Sequence, residues 1–269
     1  MVRAADATRV VYPRAEANSD RRDEYPVQLL ELALARAGGS YAVESHALFM
    51  LQARSIAELA QGRGLDVIWT MTSAEREAQL LPVRVPIDRG LLGWRLLLVR
   101  QADVARWAQV HSLAQLQTLR AGQGVDWPDT PILRASGLSV DASVRYGDLF
   151  LKLAAGRIDC FPRSVIEVWD ELATHAGEGF SVEPHLVLHY PAAMYFFVNR
   201  QRPELAAAIE RGLLAAQRDG SFDALFARHF GIALQRAELE RRERIELRNP
   251  LLPINTPLAD ARLWYRPGS

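Results

Sequence analysis

The chain has 269 residues, enough for two domains of ordinary size or one large one, and its 49% hydrophobic content is typical of a globular protein with a core. Lysine plus arginine number 32 and aspartate plus glutamate 32, so no overall field favours nucleic acid or an anionic membrane surface. The lone cysteine, Cys160, excludes an internal disulfide and a cysteine-based zinc site.

The sequence has neither a membrane-spanning run nor an export signal. No run approaches the roughly 20 apolar residues that cross a bilayer, and the first residues lack the apolar segment of a signal peptide. We therefore expect a soluble domain. The chain enters a strand-like run within a few residues of its start, which suits an exported domain whose signal has been removed. On that basis we predict a periplasmic location.

The first third of the chain alternates between strand and helix patterns. Residues 8–12 form a β-branched run that Pro13 stops, and a helical pattern then starts near Pro26 and ends at Gly38-Gly39. This helix is followed by a predicted strand at 41–50, a helix at 55–62 and a strand at 65–70. Such alternation predicts an α/β fold with a parallel sheet and crossover helices.

A very apolar run, residues 91–100, predicts a buried strand and precedes a second cycle of elements. The second cycle is predicted as a helix at 104–119, a Gly-bearing turn at 122–127, a helix at 143–155, a strand at 157–161, a helix at 164–173 and a strand at 182–188. A strand at 195–198 and two helices ending near Gly220 and Gly231 then close the pattern.

The last of these helices carries an aromatic stripe and is followed by a tail of different composition. Helical spacing assigns the stripe to core packing, and it consists of Phe222, Leu225, Phe226 and Phe230. In the tail, residues 235–248 carry both charges at i,i+3 and i,i+4 spacing and predict a solvated helix face. The Pro-rich segment after them is expected to run extended and to pack on the surface.

Arg76 is the first candidate for a binding residue. It comes just past the predicted strand at 65–70, after the hydroxyl residues Thr70, Thr72 and Ser73. In an open α/β sheet ligands lie beyond the carboxyl ends of the strands, and a guanidinium there offers a planar fork of donors to a carboxylate or phosphate. The alternative is a surface salt bridge between Arg76 and a neighbouring carboxylate.

The order of these elements resembles the bilobal periplasmic solute-binding proteins of the type II fold, and more narrowly the amino-acid-binding family 3 of ABC transporter substrate-binding proteins. The resemblance extends over residues 8–231. It is carried by the segments TMTSAER with LLPVRVPI, LAAGRIDCF, and YFFVNRQRPELAAAIERGLLAAQRDGSFDALFARHFG. It implies two Rossmann-like lobes with a central cleft: residues 1–97 and 194–231 in lobe 1, 98–193 in lobe 2, and 232–269 as a tail packed on the surface.

The resemblance also implies ligand-binding residues. Arg76 would hold a ligand carboxylate, and Tyr12 would supply an aromatic wall at the end of the first strand. The turn from Gly122 to Trp127 would offer backbone N–H groups to an anionic group. The full predicted set is Tyr12, Trp69, Thr70, Thr72, Arg76, Gly124, Trp127, Phe161, Arg163 and Ser164.

One departure from the family pattern concerns the ligand. Amino-acid binders carry an aspartate a few residues after the Gly-Arg-x-Asp motif, where it holds the ligand ammonium, but this chain has Phe161-Pro162-Arg163-Ser164 there. An ordinary α-amino acid would lack its charge partner. Arg163 either binds an anionic part of the ligand or forms an internal or surface ion pair.

These features favour a monomeric, non-enzymatic protein that closes two lobes on a small carboxylate-bearing or otherwise anionic solute, for an ABC permease. The alternatives are a sensory module that regulates a membrane partner and a dehydratase-like enzyme on the same scaffold, for which Glu16, Asp126 and Asp159 form no recognisable constellation. No cofactor is implied. His185 and His189 lie four residues apart without further ligands, so we predict no metal site.

Overall fold

The computed structural model describes residues 7–14 and 23–268, which form two compact units. Unit 1 takes its described residues from the ranges 1–89, 193–231 and 253–263, and unit 2 from 90–192, 232–252 and 264–269. The chain thus passes between the units five times, at 89/90, 192/193, 231/232, 252/253 and 263/264. Residues 90–97, predicted as part of lobe 1, lie in unit 2, and the predicted tail contributes to both units.

Strands and helices alternate through most of the described residues. The strands are β1 (Thr8–Arg14), β2 (Tyr41–Phe49), β3 (Val67–Met71), β4 (Leu81–Val83), β5 (Trp94–Arg100), β6 (Arg120–Gly124), β7 (Ser139–Ser143), β8 (Phe161–Ser164), β9 (Phe180–Val182), β10 (Leu186–His189), β11 (Met194–Val198) and β12 (Glu243–Glu246). The α-helices are α1 (Glu24–Arg36), α2 (Gln52–Ala60), α3 (Ala74–Gln79), α4 (Val104–Trp107), α5 (Leu113–Leu116), α6 (Asp129–Ala135), α7 (Tyr146–Ala154), α8 (Val168–Thr174), α9 (Pro203–Arg218) and α10 (Ser221–Ala237). Among these helices, none is both long enough and apolar enough to cross a lipid bilayer.

In unit 1, the return strand β11 lies between β3 and β4 and is antiparallel to both. A separate parallel pair is formed by β1 and β2. Helices α1 and α9 approach so closely that a Cβ added to Gly212 would lie 1.8 Å from the carbonyl oxygen of Ala33. The predicted aromatic stripe is confirmed as core: its four side chains are buried, and the rings of Phe230 and Tyr25 lie 4.5 Å apart.

In unit 2, β5 is the central strand and pairs antiparallel with β8, β9 and β10. All its residues except Arg100 are buried, as its apolar sequence predicts. Strand β12 extends the sheet by pairing parallel with β10, and β6 and β7 form a second, parallel pair. The sequence missed β12, β6 and β7.

Several predicted elements are wrong in kind or extent. The helix predicted at 104–119 is two short helices, α4 and α5, with Ser112 capping the second through a hydrogen bond from the Gln115 amide. The helix predicted at 143–155 begins only at Tyr146, because Ser143 ends β7. The predicted turn at 122–127 is strand as far as Gly124. The strand predicted at 157–161 lies at Phe161–Ser164, so the next helix, predicted from 164, begins at Val168.

The tail is also different from its prediction. Helix α10 passes through Gly231 and ends at Ala237, after which Glu238 adopts a left-handed conformation, φ 44°. The charged segment predicted as a helix face at 235–248 then becomes β12, where Ile245 alone is buried. The Pro-rich residues that follow contain no longer element than the 3₁₀ turn Ala261–Leu263.

Candidate functional site

Arg76 lies just beyond the end of β3 in unit 1. The buried residues Val67 and Ile68 hold β3 in the core, and the amide of Thr72, one residue past β3, donates to the Ala193 carbonyl at 2.8 Å. Ser73 then caps α3 by accepting a hydrogen bond from the Arg76 amide at 3.2 Å. Arg76 therefore stands in the first turn of α3, a short helix that the sequence did not reveal.

The guanidinium of Arg76 is held in a fixed orientation. Its Nη1 donates to the Met71 carbonyl at 2.7 Å, and its Nη2 donates to Gln52 Oε1 at 2.8 Å. The side chain is half-buried. The Met71 carbonyl and the Gln52 amide oxygen are neutral acceptors, and together they fix the orientation of the guanidinium. Gln52, at the start of α2, is an orienting residue that the sequence did not reveal.

Two of the predicted aromatic residues of unit 1 lie together. The rings of Tyr12 on β1 and Trp69 on β3 have centroids 5.6 Å apart, and Trp69 Nε1 donates to Asp23 at 3.2 Å. Burial raises the pKa of the Tyr12 hydroxyl, and the nearby carboxylates of Glu31 and Asp23 raise it further. Tyr12 is therefore a neutral hydrogen-bonding group across the physiological pH range.

The two threonines of the site differ in how their hydroxyls are satisfied. Thr72 Oγ1 donates to Glu77 at 2.8 Å, and Glu77 in turn is paired with Arg84. Thr70 is also buried, but its Oγ1 has no hydrogen-bond partner among the described residues. A buried hydroxyl without a partner is costly, so Thr70 is the hydroxyl of this group that would gain most from a bound polar molecule.

In unit 2, three predicted residues form one cluster. Trp127 stacks on Phe161, with centroids 6.2 Å apart and planes 17° apart, and the guanidinium carbon of Arg163 lies 4.6 Å from the Trp127 centroid. Gly124 permits this packing, because a Cβ there would lie 2.5 Å from the indole ring. Trp127 is half-buried, whereas Phe161 and Arg163 are fully buried.

Arg163 is part of a buried ion-pair network. Its Nε donates to both carboxylate oxygens of Glu171 at 2.8 Å, and its Nη2 lies 3.1 Å from Glu167 Oε1. Burial alone would lower the pKa of the guanidinium, but Glu167 and Glu171 more than offset this and raise it. Two roles were expected for Arg163, ligand binding and an ion pair, and among its described contacts Arg163 forms the internal ion pair.

Hydrogen bonds of both its backbone and its side chain hold Ser164 at the end of β8. Its amide donates to Glu167 Oε2 at 3.0 Å, its hydroxyl donates to the Leu91 carbonyl at 2.9 Å, and the same hydroxyl accepts from the Ile166 amide at 3.3 Å. The side chain is fully buried. Ser164 thus connects β8 to the start of α8 and to the residues before β5.

A second buried arginine, Arg95 on β5, completes the network and was missed from the sequence. It pairs with Asp129 and, at 3.3 Å, with Glu167, and its Nε donates to the Tyr190 hydroxyl at 2.9 Å. Glu167 therefore lies between two guanidinium groups. The available signal was an arginine within the apolar run LLGWRLLLVR, since a charge in a buried strand requires partners.

The remaining candidates have structural partners. Asp159 accepts hydrogen bonds from the Arg120 amide at 2.8 Å and from Arg106 at 3.0 Å, Asp126 is exposed, and Glu16 lies outside the described residues. Cys160 is buried, as predicted, and burial raises the pKa of its thiol. Within ranges 7–14 and 23–268, no three His, Cys, Asp or Glu side chains are grouped to hold a metal ion.

The described contacts therefore bring the predicted residues together in two groups. One, in unit 1, joins Tyr12 on β1 with Trp69 on β3 through their rings and places Thr70, Thr72 and Arg76 along the end of β3. The other, in unit 2, joins Gly124, Trp127, Phe161 and Arg163, with Ser164 next to Arg163 on β8.

Solved structures share this architecture. An ancestral arginine-binding protein bound to arginine is 17% identical, covers 83% of this chain and 98% of its own, and gives a TM-score of 0.61. The periplasmic VFT2 domain of BvgS from Bordetella pertussis is 17% identical, with coverages of 83% and 93% and a TM-score of 0.62. The substrate binding protein of an amino acid ABC transporter is 12% identical, with coverages of 84% and 99% and a TM-score of 0.59.

No protein-family model and no curated protein matches the chain by sequence. At the identities of the solved structures, the similarity establishes the fold. The chain has the α/β type II fold of the periplasmic binding proteins, and this part of the sequence prediction is confirmed.

Proposed function

We propose that this protein binds a small carboxylate-bearing solute in the periplasm and that Arg76 holds the carboxylate. The observation that carries the proposal is the fixed guanidinium of Arg76 beyond the end of β3, oriented by Met71 and Gln52. A planar cation held in place before the ligand arrives loses little side-chain entropy on binding. Its position also agrees with the role that the family resemblance implies.

The groups around Arg76 suit a carboxylate with a polar or flat remainder. Tyr12 and Trp69 supply aromatic surface, and Thr70 supplies a hydroxyl that has no partner in the described part of the chain. For unit 2, we assign the contribution to Trp127, the half-buried member of its cluster. We assign Arg163 a supporting role beneath the Trp127 ring, because Glu171 and Glu167 already compensate its charge.

In this proposal the two units close on the solute, because only the closed state makes contacts from both of them. Solved proteins with the same fold include an arginine-binding protein bound to arginine and another bound to glutamine. These ligands carry both a carboxylate and an ammonium group. Since the aspartate expected for an ammonium group is absent here, we place simple monocarboxylates and dicarboxylates before α-amino acids as ligands.

A thermal-shift panel of amino acids, dicarboxylates, phosphorylated acids and aromatic acids tests the proposal. We expect at least one carboxylate to raise the melting temperature. For that compound, Arg76→Ala should weaken binding by about 10- to 100-fold, the equivalent of one charge-assisted hydrogen-bonding group, as measured by titration calorimetry.

The matched control is Arg63→Ala, which removes an exposed arginine of the same unit that pairs only with Glu58 among its described contacts. This variant should bind as the wild type does. Unchanged affinity in Arg76→Ala, or equal losses in both variants, would remove Arg76 from the site.

A sensory role is the second candidate, in which the units regulate a membrane partner instead of delivering solute to an ABC permease. It is favoured by the similarity to the BvgS domain and to a histidine kinase sensor domain that is 16% identical, with coverages of 84% and 96% and a TM-score of 0.59. Adjacent permease and ATPase genes would support transport, and an adjacent kinase or cyclase gene would support sensing. Mass spectrometry of an incubated ligand separates both from a dehydratase-like enzyme, which alone would form a product.

A further inference from the structure

The chain first enters unit 2 through one connecting segment, at Gly90, and first leaves it through a second, at Ala192. Trp264 packs against the first of these two segments. The chain enters this unit at Gly90, whose φ is 78°. A Cβ at Gly90 would lie 2.7 Å from Trp264 Cε3 and 3.3 Å from the carbonyl oxygen of Ala192, the residue at which the chain leaves. Only glycine therefore fits this position, for both its backbone conformation and the ring against it.

The second connecting segment is held by Asn249. Its Nδ2 donates to the Pro191 carbonyl at 2.8 Å, and its Oδ1 accepts from the Leu251 amide at 3.0 Å. The two connecting segments also bond to each other, since the Tyr190 amide donates to the Gly93 carbonyl at 3.1 Å. Residues 249–264, which we name the strap, thus contact both connecting segments on the unit 2 side.

The strap itself is anchored at several points. Strand β12, just before it, pairs with β10 in unit 2. Its middle part, residues 253–263, belongs to unit 1, where Thr256 is buried. Tyr265, next to Trp264, meets the Trp94 ring edge-on at 6.4 Å. The strap therefore adds two chain passages between the units, at 252/253 and 263/264, to those at 89/90, 192/193 and 231/232.

We propose that the strap is a conformational restraint, which limits the backbone rotations of residues 87–93 and 190–194 by which the two units change their relative position. Hinges work through large φ and ψ changes at a few connecting residues. The Trp264 ring against Gly90 and the Asn249 bond to Pro191 oppose such changes at these two residues, because backbone rotation there would disturb both contacts. The strap thereby raises the free energy that is needed to change the relative position of the units. Binding of a solute must supply this free energy.

Trp264→Ala tests the restraint without any solute. Spin labels at Gln61→Cys in unit 1 and Asp170→Cys in unit 2 sit at exposed positions, and Cys160 is too buried to react. By pulsed EPR, we expect the distance distribution between the labels to be about twofold wider in Trp264→Ala. By hydrogen exchange, residues 87–93 and 190–194 should exchange about tenfold faster, the equivalent of losing one favourable contact.

The matched control is Phe180→Ala, which removes a buried aromatic side chain on β9 of unit 2 whose ring lies 6.1 Å from that of Phe150, distant in sequence from all five passages between the units. It should leave both readouts unchanged. If Trp264→Ala does not fold, Asn249→Ala takes its place as the test variant. We then expect the same widening of the distance distribution and the same faster hydrogen exchange at residues 190–194. Wild-type distances and exchange in a folded strap variant, or equal changes in the control, would overturn the proposal. Neither readout depends on Arg76 or on the solute class, so failure here is distinguishable from failure of the proposed function.

Discussion

Arg76 and Arg163 were both predicted as ligand-binding residues, and their surroundings differ. Arg76 is half-buried and donates to the neutral oxygens of Met71 and Gln52, whereas Arg163 is fully buried between two carboxylates. A half-buried guanidinium at the end of a strand can still receive a new anion, whereas a fully buried cation already paired with two carboxylates gains far less from one. The residue type was the same in the sequence, so only the fold could separate the two roles.

Arg163→Met should strongly destabilise the protein in the absence of any solute. The substitution leaves Glu171 and Glu167 without one of their guanidinium partners in a buried environment, which costs about 3–5 kcal/mol in the free energy of unfolding. Urea denaturation followed by circular dichroism measures this loss. If Arg163 served only to bind a solute, the variant would unfold at the wild-type urea concentration.

Two further variants make this test specific. Arg163→Met combined with Glu171→Leu should recover part of the loss, because a buried pair replaced by apolar side chains is less costly than a single unpaired charge. Arg262→Ala breaks an exposed pair with Asp260 and should change stability by less than about 0.5 kcal/mol.

At the level of single residues, the sequence predicted where a side chain lies in the fold better than it predicted which residues that side chain contacts. Arg76 followed an apolar run and hydroxyl residues, and such a pattern is enough to place a side chain past the end of a strand. The partners of Arg163 lie four and eight residues later, and Glu167 is shared with Arg95, 72 residues away in sequence. No local pattern marks a carboxylate shared between distant arginines.

At the level of elements, helices with long apolar periodicity were predicted well and short ones were not. The period through α9 is clear because Leu205, Ile209 and Leu213 are all buried on one face. By contrast, α4 and α5 have four residues each, too few to show a period, and their apolar residues merge into one apparent helix. Strand β12 was missed because Ile245 is its single buried residue, so its sequence has no alternation of several apolar positions.

The contact between α1 and α9 supplies a test at this level. Gly212→Ala would place a methyl group within 1.8 Å of the Ala33 carbonyl oxygen, so one helix must move, at a cost of about 1–3 kcal/mol or more. Gly231→Ala is the matched change inside α10, where an added Cβ meets nothing within 4 Å. It should stabilise by about 0.5–1 kcal/mol, because alanine is the better helix former. Chemical denaturation of both variants measures the difference, and a neutral or stabilising Gly212→Ala would contradict the close approach.

At the level of the whole molecule, each unit is assembled from segments that are distant in the chain. Unit 1 joins the first strands to β11 and the closing helices, and unit 2 joins its central residues to β12. The cycle order in the sequence was sufficient to indicate the type II fold, which the solved structures confirm. The participation of the C-terminal segment in both units could not be foreseen, since its contacts depend on single residues such as Trp264 and Asn249.

This assembly predicts where the backbone resists opening. Strands β5 and β11 are each paired on both sides and are almost entirely buried, so their amides exchange only when the surrounding unit unfolds. Strand β2 is the contrasting case, because among the described strands it pairs with β1 alone and most of its residues are exposed. In hydrogen exchange followed by mass spectrometry, peptides over Trp94–Arg100 and Met194–Val198 should stay protected about 100-fold longer than the peptide over Tyr41–Phe49, which corresponds to about 2.8 kcal/mol. Protection of β2 equal to that of β11 would mean that the core of unit 1 is centred on the parallel pair and not on the return strand.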